Sequence, residues 1–225
     1  TLGDIGTVSF YYGHHISTIE GGMAVTNDED LYQLMLSLRS HGWARDTASS
    51  RRQELTSKWG IDDFSSLYTF YFEGFNFRST DLQAKLGITQ LKSLPAITDA
   101  RERNFRIYRE LLPDYWSQRS HSGRTSSFAF GTFVEDRLSL WRELSEHGIE
   151  SRPLICGNLG RHPFWLRKRE VFIAPVADLV HSKGIYLPNH AELKREEIQK
   201  VCTVVSRFAE PVDVSAVIDA GAPAN

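Results

Sequence analysis

The protein has 225 residues, of which 41% are hydrophobic and 24% are charged, and its formal net charge is −2. This is an ordinary globular composition, long enough for one large or two smaller domains, and it provides no basic surface for nucleic acid. No apolar run reaches the about 20 residues that span a bilayer, and the two cysteines, Cys156 and Cys202, suit neither a disulfide framework nor a metal site, which favours a cytoplasmic location.

Strands and one helix are predicted in the first forty or so residues. The chain opens on Thr1 rather than methionine, directly before a strand, so we expect it to be the C-terminal part of a longer protein. Residues 7–12 and 23–26 are rich in β-branched or apolar side chains and predict strands. Asn27-Asp28 predicts the N-cap of a helix that ends at Gly42. The apolar residues of that helix recur at helical spacing: Leu31, Leu34, Met35 and Leu38.

The stretch from Trp43 to Tyr71 is predicted to be irregular, and long loops in compact domains are often functional. Ser79-Thr80-Asp81 then predicts the start of a helix whose apolar residues lie almost all round it, as in a buried helix. Pro95 is expected to break that helix, with a second helix at residues 96–112. We place a domain boundary near Pro95.

Shorter elements follow Pro95. Strands are predicted at residues 128–133 and 149–155, and helices at 136–147 and 194–208. The first of these helices is expected to turn Leu138, Trp141 and Leu144 inward. The predicted domains are therefore 1–95 and 96–209, followed by a flexible tail at 210–225.

Three separated motifs carry the functional information. The first runs from Ser9-Phe10 through His14-His15-Ile16 to Glu20-Gly21-Gly22. The second comprises Gly74-Phe75-Asn76-Phe77-Arg78 and Thr80-Asp81-Leu82-Gln83-Ala84, and the third is Leu187-Pro188-Asn189-His190. A serine hydroxyl and an asparagine amide can both donate hydrogen bonds to phosphate oxygens, and glycine permits close backbone approach. In this order and spacing the motifs resemble the DegT/DnrJ/EryC1/StrS family of sugar aminotransferases, which bind pyridoxal 5′-phosphate.

The resemblance implies an α/β fold, the C-terminal part of a fold-type-I pyridoxal-phosphate-dependent transferase. Residues 1–95 would end the large α/β/α domain, and residues 96–209 would form the small α+β domain. By the same resemblance, Ser9 binds the cofactor phosphate, and Asn76 reaches that phosphate across the interface of a homodimer with a shared active site. His14 falls on the position of the lysine that binds the cofactor covalently.

The histidine changes the expected chemistry. Imidazole forms no stable imine with the aldehyde of pyridoxal phosphate, so we expect the cofactor to be held without a covalent bond, as pyridoxamine 5′-phosphate. Imidazole still moves protons near neutral pH, which makes His14 the predicted catalytic base. Within the family, the 3-dehydratase branch has the same His-His-Ile, and the run Cys156–Phe164 resembles a second segment of that branch.

This branch implies the 3-dehydration of a nucleotide-linked 4-keto-6-deoxyhexose, with glutamate as the amino donor that restores the cofactor. Residues 45–74 contain no cysteine, which points to the type without an iron–sulfur cluster. One departure is Ile19, which stands where relatives often have glycine.

Other interpretations stay open at this point. The chain could belong to an aminotransferase or to a non-catalytic relative that kept the fold. The His14-His15 pair could bind a metal with His41 or Glu20, although adjacent strand residues point to opposite faces, and no metal site is expected. The aromatic run Tyr68–Phe72 could line a sugar pocket, but we expect it to form a buried edge of the core.

Overall fold

The chain folds as two units, Thr1–Lys92 and Ser93–Asn225. A computed structural model describes residues 1–120 and 123–214. The division between the units lies close to Pro95. Within these two ranges, no helix is both long enough and apolar enough to cross a membrane.

The first unit begins with a two-stranded antiparallel sheet. Strand β1 (Gly6–Ser9) pairs with β2 (Gly22–Val25), with Gly6 opposite Val25 and Ser9 opposite Gly22. Both predicted strands are therefore present, and the connecting loop at residues 10–21 carries His14.

The helices of the first unit are partly as predicted. Helix α1 (Glu29–Leu38) begins at Asp28, whose carboxylate accepts a hydrogen bond from the Leu31 amide at 2.9 Å. Helices α2 (Ser49–Trp59) and α3 (Asp63–Ser66) lie in the stretch predicted to be irregular, so that prediction was wrong. Helix α2 was not predicted because Leu55 is its one buried residue. Its sequence therefore has no apolar residues repeating at helical spacing.

Helix α4 (Asp81–Leu111) runs without interruption through Pro95, where a break was predicted. A proline inside a helix lacks one N–H donor and costs about 3 kcal/mol. Downstream, Phe105 and Tyr108 are buried in the core of the second unit, and each such side chain contributes about 1.5–3 kcal/mol. This burial stabilises the part of the helix that follows the proline.

The first half of α4 was predicted to be buried. In the single chain it is exposed, so that prediction was wrong. Leu82 is 70% exposed and Leu91 is 54% exposed. Apolar surface that stays open in this way usually marks an interface with another chain or segment.

The second unit contains a three-stranded antiparallel sheet in the order β3-β5-β4. Strand β3 (Phe130–Phe133) and the short β4 (Arg152–Pro153) flank β5 (Gly184–Leu187). In the register, Phe130 lies opposite Leu187 and Arg152 lies opposite Tyr186. The central strand β5 was not predicted.

Helices accompany the sheet in the second unit. They are α5 (Arg137–Glu146), α6 (Pro163–Leu166), α7 (Pro175–Lys183) and α8 (Arg195–Phe208), and a short 3₁₀ turn spans Leu159–Arg161. In α5 the core-facing pair is Leu140 and Leu144, whereas Leu138 and Trp141 are exposed, which corrects the predicted inward face. Residues four apart lie on one face of a helix, and that is the spacing that packs against α8.

The predicted tail is in part ordered. Val134 pairs with Pro211 in an antiparallel bridge, and the Glu135 amide donates to the Glu210 carbonyl at 3.0 Å. Val214 is buried, so residues 210–214 pack on the second unit rather than forming a loose end. Positions 215–225 lie outside the described residues.

The motif Leu187–His190 is held by side chains of α4. The Tyr108 hydroxyl donates to the Pro188 carbonyl at 2.8 Å, and the Asn104 amide donates to the His190 carbonyl at 2.9 Å. Tyr108 and Asn104 are fully buried, and burial raises the pKa of the Tyr108 hydroxyl. The third motif therefore joins the end of β5 to α4.

Candidate active site

The loop that carries His14 closes on itself. The Phe10 amide donates to the Gly21 carbonyl at 2.9 Å, and the Thr18 amide donates to the Phe10 carbonyl at 2.9 Å. The His14 amide completes a turn to the Tyr11 carbonyl at 3.3 Å, and His14 is exposed. The histidine therefore stands at the outer end of a closed loop.

Two residues of the returning arm adopt left-handed backbone conformations. Gly21 has φ 156°, and a Cβ at this position would collide with the Thr18 hydroxyl, so the close approach expected for this glycine is made to its own loop. Ile19 has φ 74°, where a β-branched side chain is strained. A glycine at this position would relieve that strain.

Ser9 lies at the end of β1, directly before the loop. Its side chain is exposed, and its Oγ accepts a hydrogen bond from the Tyr11 amide at 3.2 Å. A hydroxyl that accepts one bond still has a proton to donate. Ser9 can thus donate to an anion outside the loop.

Asn76 is positioned by the turn that follows α1. It pairs with Ser40 in an antiparallel bridge, and the Phe75 amide donates to the Leu38 carbonyl at 2.7 Å. The backbones at Gly42 and Gly74 approach so closely that a Cβ on Gly74 would collide with the Gly42 amide. The Asn76 side chain is exposed, whereas its backbone is held by these close contacts.

Asp46 adds an electrostatic link to the same segment. Its carboxylate pairs with Arg78, two residues after Asn76, and lies 3.5 Å from the Arg39 guanidinium at the end of α1. The second motif is therefore joined to α1 by both backbone and side-chain bonds.

The first two motifs are also in direct contact. The Gln83 side-chain amide donates to the Glu20 carbonyl at 2.7 Å. Ser9 and His14 on the one motif and Asn76 on the other thus belong to one connected unit. The sequence predicted the residues, but the hydrogen bond that joins the motifs has no signature in the spacing.

An aromatic cluster surrounds Trp43 and includes part of the run Tyr68–Phe72. The Trp43 and Phe70 rings stack at 5.2 Å, Tyr68 meets Trp43 at 5.4 Å, and the Arg45 guanidinium lies 5.8 Å from the centre of the Trp43 ring. Tyr68 is 73% exposed, so the predicted buried edge of the core is wrong. Tyr68 and Phe70 instead expose ring surface, Trp43 is half-buried, and the Arg45 side chain is exposed beside it. No local pattern separates a buried aromatic run from an exposed one, so the sequence offered no signal for this.

The Cys156–Phe164 run in the second unit is organised around buried Asn158. Its amide nitrogen donates to the Phe172 carbonyl at 2.8 Å and to the Asp178 carboxylate at 2.7 Å. Arg161 pairs with the same carboxylate. Hydrogen bonds from Arg161 and then Asn158 hold the pKa of Asp178 well below its usual range. The polar residues of this run therefore fix its backbone.

The interpretation of His14-His15 as a metal site finds no geometric support. Among residues 1–120 and 123–214, no group of three or more histidine, cysteine, aspartate or glutamate side chains is placed to hold a metal ion.

Sequence and structure comparisons identify similar proteins. The sequence profile described as the DegT/DnrJ/EryC1/StrS aminotransferase family matches residues 1–206. The GDP-4-keto-6-deoxy-D-mannose 3-dehydratase of Yersinia pseudotuberculosis is 31% identical over 217 residues, which are 92% of this chain and 55% of that protein. The chain thus spans about half the length of the curated relatives it matches.

Two solved structures of GDP-4-keto-6-deoxymannose-3-dehydratase have a similar fold. A histidine-to-asparagine mutant with bound GDP-perosamine gives a TM-score of 0.78 at 29% identity, covering 91% of this chain and 55% of the other. A form with a trapped PLP-glutamate geminal diamine gives 0.75 at 28% identity, with the same coverage. The predicted α/β, fold-type-I class is confirmed by these neighbours.

Proposed function

Because the chain belongs to the DegT/DnrJ/EryC1/StrS aminotransferase family, we propose that it forms part of a sugar 3-dehydratase whose catalytic base is His14. The whole protein would remove the C3 hydroxyl of a nucleotide-linked 4-keto-6-deoxyhexose. The observation that carries this proposal is a histidine, not a lysine, at the exposed end of the loop between β1 and β2. The 31% identity to a GDP-4-keto-6-deoxy-D-mannose 3-dehydratase supports the same choice.

The residues present fit a phosphate-anchored cofactor. Ser9 offers a hydroxyl at a strand end, and Asn76 offers an exposed side-chain amide on a rigid backbone. Both are donors, as phosphate oxygens require. We therefore assign Ser9 and Asn76 to the phosphate and His14 to the reactive end. When bound, pyridoxamine phosphate supplies an amine that can condense with a ketone and a ring that can accept electrons.

His14 would act first as a general base and then as a general acid. An imidazole nitrogen accepts the proton that must leave carbon, and the protonated ring can then deliver a proton to the departing C3 hydroxyl. Because imidazole forms no stable imine, His14 does not compete with the substrate for the cofactor. The missing lysine thus favours deoxygenation over ordinary transamination.

The aromatic cluster supports a nucleotide-linked substrate. Phe70 and Tyr68 expose ring surface next to half-buried Trp43, and Arg45 adds a positive charge beside them. Planar bases and sugar rings pack on such surfaces, and arginine pairs well with phosphate. We assign this cluster to the nucleotide-sugar, and glutamate to the amino donor, as in the solved relative that holds a PLP-glutamate adduct.

A homodimer in the cytoplasm completes the proposal. The exposed apolar residues of α4 and of the β1–β2 pair need a partner surface. Both cysteines are free thiols, as in a reducing compartment. In the proposed dimer, Asn76 serves the active site that contains His14 of the other subunit.

An aminotransferase is the second candidate, because the matching family is described by that activity. Such an enzyme would keep the C3 hydroxyl and place an amine at C4. A non-catalytic relative is the third candidate, but the retained Ser9 and Asn76 argue against it.

Product analysis separates the three candidates. The whole protein is incubated with pyridoxamine phosphate, glutamate and a GDP-linked 4-keto-6-deoxyhexose, and the sugars are identified by mass spectrometry. We expect a 3-deoxy product, and no such product from His14→Asn, which should still bind the cofactor. A 4-amino sugar that accumulates catalytically contradicts the dehydratase, and no turnover by the wild type contradicts both enzymes.

A further inference from the structure

Gln83 lies in the first turn of α4 and forms a capping box with Thr80. The Thr80 amide donates to Gln83 Oε1 at 2.9 Å, and the Gln83 amide donates to Thr80 Oγ1 at 3.3 Å. This reciprocal pair satisfies two backbone donors at the helix start. It occupies the side-chain oxygen of Gln83 and leaves its nitrogen for another bond.

That nitrogen holds the His14 loop. Gln83 Nε2 donates to the Glu20 carbonyl at 2.7 Å, and the Thr18 hydroxyl donates to the same carbonyl at 2.9 Å. Thr18 is buried, and its methyl group packs near Gly87 of α4. The arm that returns from His14 is therefore bound to α4 by one side-chain amide and one packed methyl.

We propose that Gln83 is a positioning residue for His14, an inference that rests on the proposed function. The outer part of the loop is exposed, and strained Ile19 lies between His14 and the bond to Glu20. A base acts efficiently only when it is held close to its productive geometry. Gln83 supplies this restraint by coupling the loop to the helix that follows Asn76.

Gln83→Glu separates the two roles of the side chain. A glutamate retains an oxygen for the Thr80 amide, so the helix cap persists. It has no N–H to donate, and its second carboxylate oxygen faces the Glu20 carbonyl. Gln90→Glu is the matched control, because it makes the same change two turns further along the same helix.

The first measurement is amide hydrogen exchange of a peptide covering residues 7–21, in the cofactor-loaded protein. We expect Gln83→Glu to increase the exchange of the Phe10 and Thr18 amides by about fivefold or more, the effect of losing one hydrogen bond. Exchange in α8, which lies in the second unit, should stay at its wild-type value, and Gln90→Glu should match the wild type throughout.

The second measurement is steady-state turnover of the keto-sugar. We expect Gln83→Glu to lower kcat by about tenfold or more with little change in KM, because the base is displaced and the substrate surface is not. Unchanged loop exchange, or faster exchange with unchanged kcat, would overturn the proposal. If the wild type dehydrates no keto-sugar, the proposed function fails, and the exchange comparison alone decides whether Gln83 restrains the loop.

Discussion

Ser40 and Asn76 lie opposite one another in an antiparallel bridge, which attaches the Asn76 backbone to the turn after α1. The Asp46–Arg78 ion pair holds the next residues of the same segment. Asn76 is therefore exposed at its side chain and fixed at its backbone, as suits a residue that binds a ligand rather than one that fills a core.

Asn76→Ala should weaken cofactor binding without unfolding the protein. Loss of a hydrogen bond to a charged phosphate should raise the dissociation constant of pyridoxamine phosphate by about tenfold or more. Equilibrium dialysis of the whole protein measures this. Asn27→Ala, another exposed asparagine, is the control, and equal affinities of the two variants would remove Asn76 from the cofactor site.

Mixed dimers test whether Asn76 serves the neighbouring subunit. If it does, a dimer of one Asn76→Ala and one His14→Asn subunit contains one intact site. A randomised equal mixture, assayed below the wild-type dissociation constant of pyridoxamine phosphate so that Asn76→Ala sites are largely empty, should then recover roughly a quarter of wild-type turnover. If both residues of a site come from one subunit, no mixture recovers activity. The assay compares the mixture with each parent variant after subunit exchange.

Ile19→Gly should stabilise the first unit. The left-handed backbone at Ile19 costs roughly 1–2 kcal/mol for a side chain with a Cβ, and the residue is 67% exposed, so little packing is lost. After the larger chain entropy of glycine, we expect a gain of about 0.5–1 kcal/mol in the free energy of unfolding. Urea unfolding measures it. Ile5→Gly, also at an exposed position, should instead lower the free energy of unfolding. A lower free energy of unfolding for Ile19→Gly would contradict the proposed backbone strain at Ile19.

The Asp178 carboxylate should make the free energy of unfolding fall as the pH becomes acidic. Its folded-state pKa is lowered by Arg161 and Asn158, so its contribution is present above about pH 4 and is lost as pH falls further. Asp178→Asn should therefore be less stable than the wild type at pH 7, with the difference shrinking towards pH 2.5 in urea titrations. A stability difference that is independent of pH would contradict the assignment.

Sequence patterns predicted the elements whose signal is local. The N-cap Asp28, the strands on either side of the His14 loop and the start of α4 at Thr80 depend on side chains within a few residues, and each is present. The three motifs led to the family because their residue types and spacing do not depend on the fold being known.

The wrong predictions share a different cause, because they depend on contacts between residues far apart in the sequence. Pro95 was expected to end a helix, but α4 continues through it and buries Phe105 and Tyr108 further along. Polar α2 lacks an apolar period, and the aromatic run at 68–72 reads alike whether it is buried or exposed. The contact of Gln83 with Glu20 joins residues 63 positions apart, and no local pattern encodes it.

Reductive trapping with pyridoxal phosphate and borohydride tests the role of position 14 most directly. In the whole protein, the wild type should gain no phosphopyridoxyl group, because imidazole forms no stable imine. His14→Lys should gain one group, which peptide mass spectrometry should locate at residue 14. A wild-type protein trapped on one of its own lysines, or a His14→Lys variant that binds the cofactor and stays unlabelled, would contradict the account.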